Sequence, residues 1–202
     1  FYTSNSGLLE LREGICGYLK RRYGMDYDAR SEIMVTVGGS EAIDLALRAM
    51  LDPGDEVLIP TPSYVSYSPC TILANGRPVE IPLKEKNRFR LTARELEDAI
   101  TDKTKVLIMP FPNNPTGGIM EREDLEAVCK VVIEHDLFVL SDEIYSELTY
   151  GLDHVSIASL PGMKERCILI NGFSKAFAMT GWRLGYACAP EHILSQMLKI
   201  HQ

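Results

Sequence analysis

The 202-residue sequence has no uninterrupted apolar run near the roughly 18 residues that a membrane helix needs, so no span is expected. It also lacks a basic stripe. Lys and Arg number 21 against 28 Asp and Glu, interspersed, and the net charge of -7 argues against a nucleic-acid partner. The cysteines at 16, 70, 129, 167 and 188 are odd in number and form no C-x-x-C pair, which excludes a disulfide framework or zinc ribbon and fits a reducing cytoplasm. His135, His154, His192 and His201 are dispersed, so no metal centre is expected. No G-x-G-x-x-G follows the first strand, which removes the dinucleotide fingerprint. Phe1 to Glu10 lacks the basic start and apolar block of a secretory leader, and there is no internal repeat or low-complexity linker.

What the sequence does have is a steady alternation. Hydrophobic residues make up 46% and charged residues 24%, enough for one large domain over residues 1–202. Leu8, Leu11, Ile15, Tyr18, Leu19 and Arg22 fall at helical spacing, with Ser6 as a candidate cap and Gly24 as a stop. Further helices are predicted over 41–51, 63–75 (interrupted by Pro69), 92–100 from a Thr92–Glu95 capping box, 121–135, and from 191 onward. Between them lie seven apolar runs: 33–37, 56–60, 78–83, 105–111, 137–140, 167–172 and 184–189. The run at 78–83 carries two prolines and reads as an edge strand. Strand–helix alternation of this kind predicts a three-layer α/β/α domain around a mostly parallel seven-stranded sheet.

In such sheets ligands bind beyond the carboxyl ends of the strands. Gly39, Tyr64, Asn114, Asp142 and Lys175 each follow a different predicted strand, so they are expected to converge on one edge. Gly38-Gly39-Ser40 joins a strand to a helix, the geometry that aims free backbone N–H groups at an anion. Lys175 follows the run CILINGF, has Ser174 beside it and Arg183 eight residues on. An amine next to a hydroxyl and a guanidinium suits a carbonyl cofactor with a phosphate tail, which is the division of labour in a pyridoxal 5'-phosphate (PLP) enzyme.

That cofactor makes specific demands. Its ring nitrogen must stay protonated, and Asp142 is the candidate carboxylate. Its phenolic oxygen needs donors, which Tyr145 and Asn114 can supply. Ser40, Ser174 and Arg183 are candidates for the phosphate, and the ring of Tyr64 can lie flat on a ligand ring. Lys175 would be covalent anchor and then base. Singly, each has a plainer reading: a strand-end Asp that caps a turn, an Asn before Pro, a half-buried Tyr. Only their shared placement favours the functional one.

VGGSEAI, NNPTGG, SDEIYSEL and GFSKAFAMTGWRLG, in this order, resemble the class I/II PLP-dependent aminotransferases of fold type I, over essentially the whole chain. The resemblance implies that Lys175 forms the Schiff base and Asp142 pairs with the pyridine nitrogen. It puts Tyr145 and Asn114 at the phenolic oxygen, Asn114 also near the substrate carboxylate, and Tyr64 on the ring. Gly39, Ser40, Glu41 (through its backbone N–H), Ser174 and Arg183 would surround the phosphate. Tyr2 matches the tyrosine that reaches the phosphate of a neighbouring subunit, implying a homodimer. The substrates implied are an L-amino acid and a 2-oxo acid, 2-oxoglutarate being the common acceptor.

The resemblance also implies a longer protein. Family members have an N-terminal segment before Tyr2 and a small C-terminal domain that supplies the arginine for the substrate's α-carboxylate. The chain is therefore expected to be the cofactor-binding large domain, poor in transamination alone. Two rivals share much of this pattern. PLP-dependent C–S lyases resemble NPVG and DEIH, where this chain has NPTG at 114–117 and DEIY at 142–145. Transcription regulators with an aminotransferase-like domain would add a basic winged-helix module, of which these residues show no sign.

Overall fold

The computed structural model describes residues 3–202, so Tyr2 lies outside the described residues. The apolar runs form β1 (Ile33–Val37), β2 (Glu56–Thr61), β3 (Arg77–Pro82), β4 (Thr104–Met109), β5 (Phe138–Asp142), β6 (Cys167–Gly172) and β7 (Leu184–Cys188). They pair in the order β1-β7-β6-β5-β4-β2-β3. Only β7 runs against its neighbours, antiparallel to both β1 and β6. The expected mostly parallel, seven-stranded α/β sheet is what the chain builds.

Alternation along the central strands divides the core. Leu107 and Met109 of β4, Val139 of β5 and Leu169 of β6 pack under α1 (Leu9–Tyr23), α4 (Ala93–Glu97) and α5 (Arg122–Glu134). Val106, Ile108, Leu140, Ile168 and Ile170 face α2 (Gly38–Met50), α3 (Tyr67–Leu73) and α6 (Glu191–His201). Strands sandwiched between two helical layers must be apolar on both faces, which is why β4 to β6 read as continuous hydrophobic runs. Each fully buried Leu or Ile contributes about 1.5–3 kcal/mol. No helix of the described residues is long and apolar enough to cross a membrane.

Local signals held where the chemistry was local. Gly24 ends α1 in the left-handed conformation (φ 69°), its N–H bonding the carbonyl of Lys20. The capping box at Thr92 and Glu95 is formed. Proline-bearing β3 is an edge strand. Two expectations need correction. Ser6 does not cap α1; its carbonyl accepts from Val35 N at 2.9 Å, so the entering segment covers the free edge of β1 instead. The helix predicted over 63–75 is only Tyr67–Leu73, with Pro69 in its first turn, where the missing N–H costs nothing.

Candidate active site

The site is built on close backbone contacts at the carboxyl ends of β1 and β6 and the start of β7. Gly172 and Gly185 are register partners, and a Cβ on Gly185 would lie 2.5 Å from Gly38 C and 2.6 Å from Gly39 N. Only glycine allows the turn into α2 to sit this close to β7. Gly38 has φ 75°, and a Cβ there would overlap Arg183 Nη2. The turn is pinned by the Thr36 hydroxyl, which donates to the Gly38 carbonyl at 2.8 Å, and by Glu41, whose carboxylate accepts from Val37 N at 2.5 Å. The first N–H groups of α2 have no partner within the helix and are left to face an anion.

A cleft of about 200 Å3 opens above this turn, lined by Gly39, Ser40, Tyr64, Asn114, Asp142, Tyr145, Ser174, Lys175 and Arg183 among others. Every described residue singled out from the sequence is there except Glu41. The side chain of Glu41 turns to Val37 N and to His201, leaving its backbone N–H as the group near the cleft. Asp142 is the last residue of β5 rather than just beyond it, and is only 8% exposed. Its Oδ2 accepts from the Tyr67 hydroxyl at 2.8 Å and its Oδ1 from Ile144 N at 3.2 Å. Burial pushes its proton affinity up; the bonds from Tyr67 and Ile144 counter this only in part.

Lys175 Nζ lies 5.6 Å from the centroid of the Tyr145 ring, and no carboxylate of the described residues pairs with it. Arg183 takes the left-handed conformation (φ 53°) and donates one N–H to the Thr180 carbonyl at 3.2 Å; among the described residues the rest of its fork has no partner. Tyr64 sits 3.5 Å from the Ser40 hydroxyl, and bonds from Ser40 and Ser66 draw its phenol pKa down. Its ring meets Tyr67 edge-on, with centroids 5.7 Å apart.

Tyr67 is the functional residue that sequence reasoning missed. It is 2% exposed and its hydroxyl holds Asp142. The pair of tyrosines at 64 and 67, between β2 and the body of α3, was the available signal. Gly172 and Gly185 were likewise not singled out.

The family model described as aminotransferase class I and II matches residues 1–202. The chain belongs to the class I and II aminotransferases. It is 52% identical over 199 residues to the aspartate aminotransferase of Pyrococcus abyssi, covering 98% of this chain and 51% of the relative. It is 50% identical over 199 residues to the aromatic-amino-acid aminotransferase 2 of Thermococcus litoralis, again covering 98% of this chain and 51% of the relative. Among solved structures it matches an aromatic aminotransferase from Pyrococcus horikoshii with TM-score 0.98 and 51% identity, covering all of this chain and 54% of that one. Thermus thermophilus aspartate aminotransferase with maleate gives TM-score 0.95 at 39% identity, covering 100% of this chain and 52% of that one. The chain thus spans about half the length of the relatives it matches.

Aminotransferases of this family depend on PLP. The residues present fit that group. Glycine at 38 and 185 lets the turn into α2 pack directly on β7 and beside the Arg183 guanidinium, so the first N–H groups of the helix and the Arg183 fork border one cleft. Buried Asp142 has acceptor capacity to spare after two bonds, as an N–H on an aromatic ring requires. Lys175 offers an amine to the same space.

Proposed function

We propose that this chain is the cofactor-binding large domain of a PLP-dependent aminotransferase that moves an amino group between an L-amino acid and a 2-oxo acid, 2-oxoglutarate being the common acceptor. The reading rests chiefly on one observation: unpaired Lys175 and buried Asp142 line the same cleft as Arg183 and the N-terminus of α2.

PLP, when bound, supplies an electron sink for the pair left at the substrate's α-carbon as its proton departs. In this reading Lys175 Nζ is first the covalent anchor and then the base that takes that proton. Asp142 holds the proton on the ring nitrogen, its carboxylate steadied by Tyr67. Tyr145 and Asn114 would donate to the phenolic oxygen, Asn114 would also serve the substrate carboxylate, and Tyr64 would hold the ring. Ser40, Ser174, the N–H groups of Gly39 and Glu41, and the Arg183 fork hold the phosphate.

The same reading assigns Tyr2 to the phosphate of a second subunit, hence a homodimer, and the grip on the substrate carboxylate to an arginine outside this chain. Five free thiols agree with a cytoplasmic enzyme.

The test is a panel of amino acids with 2-oxoglutarate and the full-length protein. Glutamate and the matching 2-oxo acid are the expected products. Ammonia and a thiol from a cysteine-derived substrate, with no glutamate, would make the protein a C–S lyase instead.

A further inference from the structure

Asp142 is followed at once by a second acid, Glu143, that the cleft does not use. It is 2% exposed and lies with Met109, Phe111 and His154 on the face of the sheet opposite the cleft. Its Oε1 accepts from the hydroxyls of Ser141 at 2.9 Å and Ser156 at 2.7 Å. Its Oε2 and His154 Nε2 are hydrogen-bond partners at 2.7 Å. Glu143 N donates to the Ile170 carbonyl at 2.9 Å, extending the pairing of β5 with β6 one step past Asp142. Main chain and side chain are both held, and Asp142 is held with them.

The charge of Glu143 has little nearby to cancel it. Tyr27, Cys167 of β6, and Tyr186 and Cys188 of β7 all lie within its field; burial, with that field adding to it, pushes each of them up, so they stay neutral. His154 is the one ion-pairing group on it among the described residues. On the other face, Asp142 meets the Tyr67 hydroxyl and Ile144 N, with Tyr64, Tyr145 and Lys175 lining the same cleft. Burial is the main cause that raises the proton affinity of Asp142, and the charge of Glu143 on the next residue adds to it.

We propose that Glu143 is a positioning residue of this site: from the far side of the sheet it fixes Asp142, and its buried charge strengthens Asp142's grip on the proton of the cofactor ring. Tyr67 acts in the opposite sense, since a hydrogen bond to the charged carboxylate weakens that grip. Glu143 and Tyr67 together set how firmly the ring nitrogen stays protonated.

The inference rests on reading Asp142 as the partner of the ring nitrogen, and the experiment separates the two. Full-length enzyme loaded with PLP carrying nitrogen-15 in the ring is titrated by NMR, in parallel with Asp142→Asn, Glu143→Gln and His154→Gln. Thermal unfolding of each cofactor-free protein is recorded alongside. Glu143→Gln keeps the shape and loses the charge, and is expected to lower the ring nitrogen's proton affinity about tenfold, one pKa unit. His154→Gln keeps a donor and leaves the charge, and is expected not to lower it. A Glu143→Gln enzyme that titrates with the parent, or a His154→Gln enzyme that falls as far, overturns the inference, whatever the change in melting temperature. Should Glu143→Gln not fold, His154→Gln decides alone: unchanged or raised affinity supports the inference and a fall refutes it. If Asp142→Asn also titrates with the parent, it is the assignment of Asp142 that fails.

Discussion

The Tyr67 hydroxyl donates to Asp142 Oδ2 at 2.8 Å, a bond between residues 75 apart in sequence, both buried beneath the cleft. It is the side-chain hydrogen bond that Asp142 receives, its other partner being a backbone N–H. Tyr67→Phe keeps the ring packing and removes only this donor. A hydrogen bond to a charged group is worth about 1.5–3 kcal/mol, so urea unfolding of the variant near neutral pH is expected to show a loss of that size. An unchanged midpoint would mean that the bond contributes nothing to the folded state.

Asp142 also ties stability to pH. Burial raises its pKa in the folded state above the unfolded value, so the folded chain binds more protons between those two values. Its contribution therefore turns unfavourable as pH rises from the unfolded carboxylate range through the folded pKa. Cofactor-free Asp142→Asn is expected to be more stable than the parent at neutral pH and to lose that advantage toward pH ~3, below the usual Asp pKa of about 3.9. Thermal melts across this range check it; a constant difference between the two proteins would contradict it.

The glycines at the site are not interchangeable with glycines elsewhere. A Cβ on Gly185 meets the backbone of Gly38 and Gly39, which cannot yield without opening the turn, whereas a Cβ on exposed Gly14 in α1 meets nothing within 4 Å. Gly185→Ala is expected to cost about 3 kcal/mol or more and to weaken PLP binding, by the mechanism of overpacking and strain. Gly14→Ala should stabilise by about 0.5–1 kcal/mol, since glycine inside a helix is that much worse than alanine. Denaturant midpoints of the pair give the comparison directly.

Much of this was legible in the sequence because it is local. Strand–helix alternation gave the layers, and the carboxyl ends of the strands gave the edge where Gly39, Tyr64, Asn114, Asp142 and Lys175 meet. What stayed hidden depends on spatial order. Chain order cannot say that β7 slots between β1 and β6, and without that the contact of Gly185 with Gly38 cannot be foreseen. Nor does the pattern reveal that Glu143, which looks like a solvated acid beside another, is buried among Ser141, Ser156 and His154. Ser6 misled because the edge strand β1 uses its carbonyl, and the helix of α3 starts later than expected because Pro69 fits only in a first turn.

Arg183 presents a fork aimed across Gly38, and a lysine cannot reproduce it. Arg183→Lys is expected to weaken PLP binding about 10- to 100-fold, the equivalent of one charged hydrogen bond, while leaving the fold intact. Equilibrium dialysis with PLP reads the affinity, and an unchanged value would remove Arg183 from the phosphate site.

The most direct test concerns Lys175. Purified full-length protein and its Lys175→Ala variant are mixed with PLP, their visible spectra recorded before and after borohydride, and the labelled residue located by mass spectrometry. The account predicts a cofactor band in the parent that borohydride removes, with the cofactor mass fixed on Lys175 and no fixed mass on the variant. A band and a fixed cofactor that persist in Lys175→Ala, or attachment to another lysine, would contradict it.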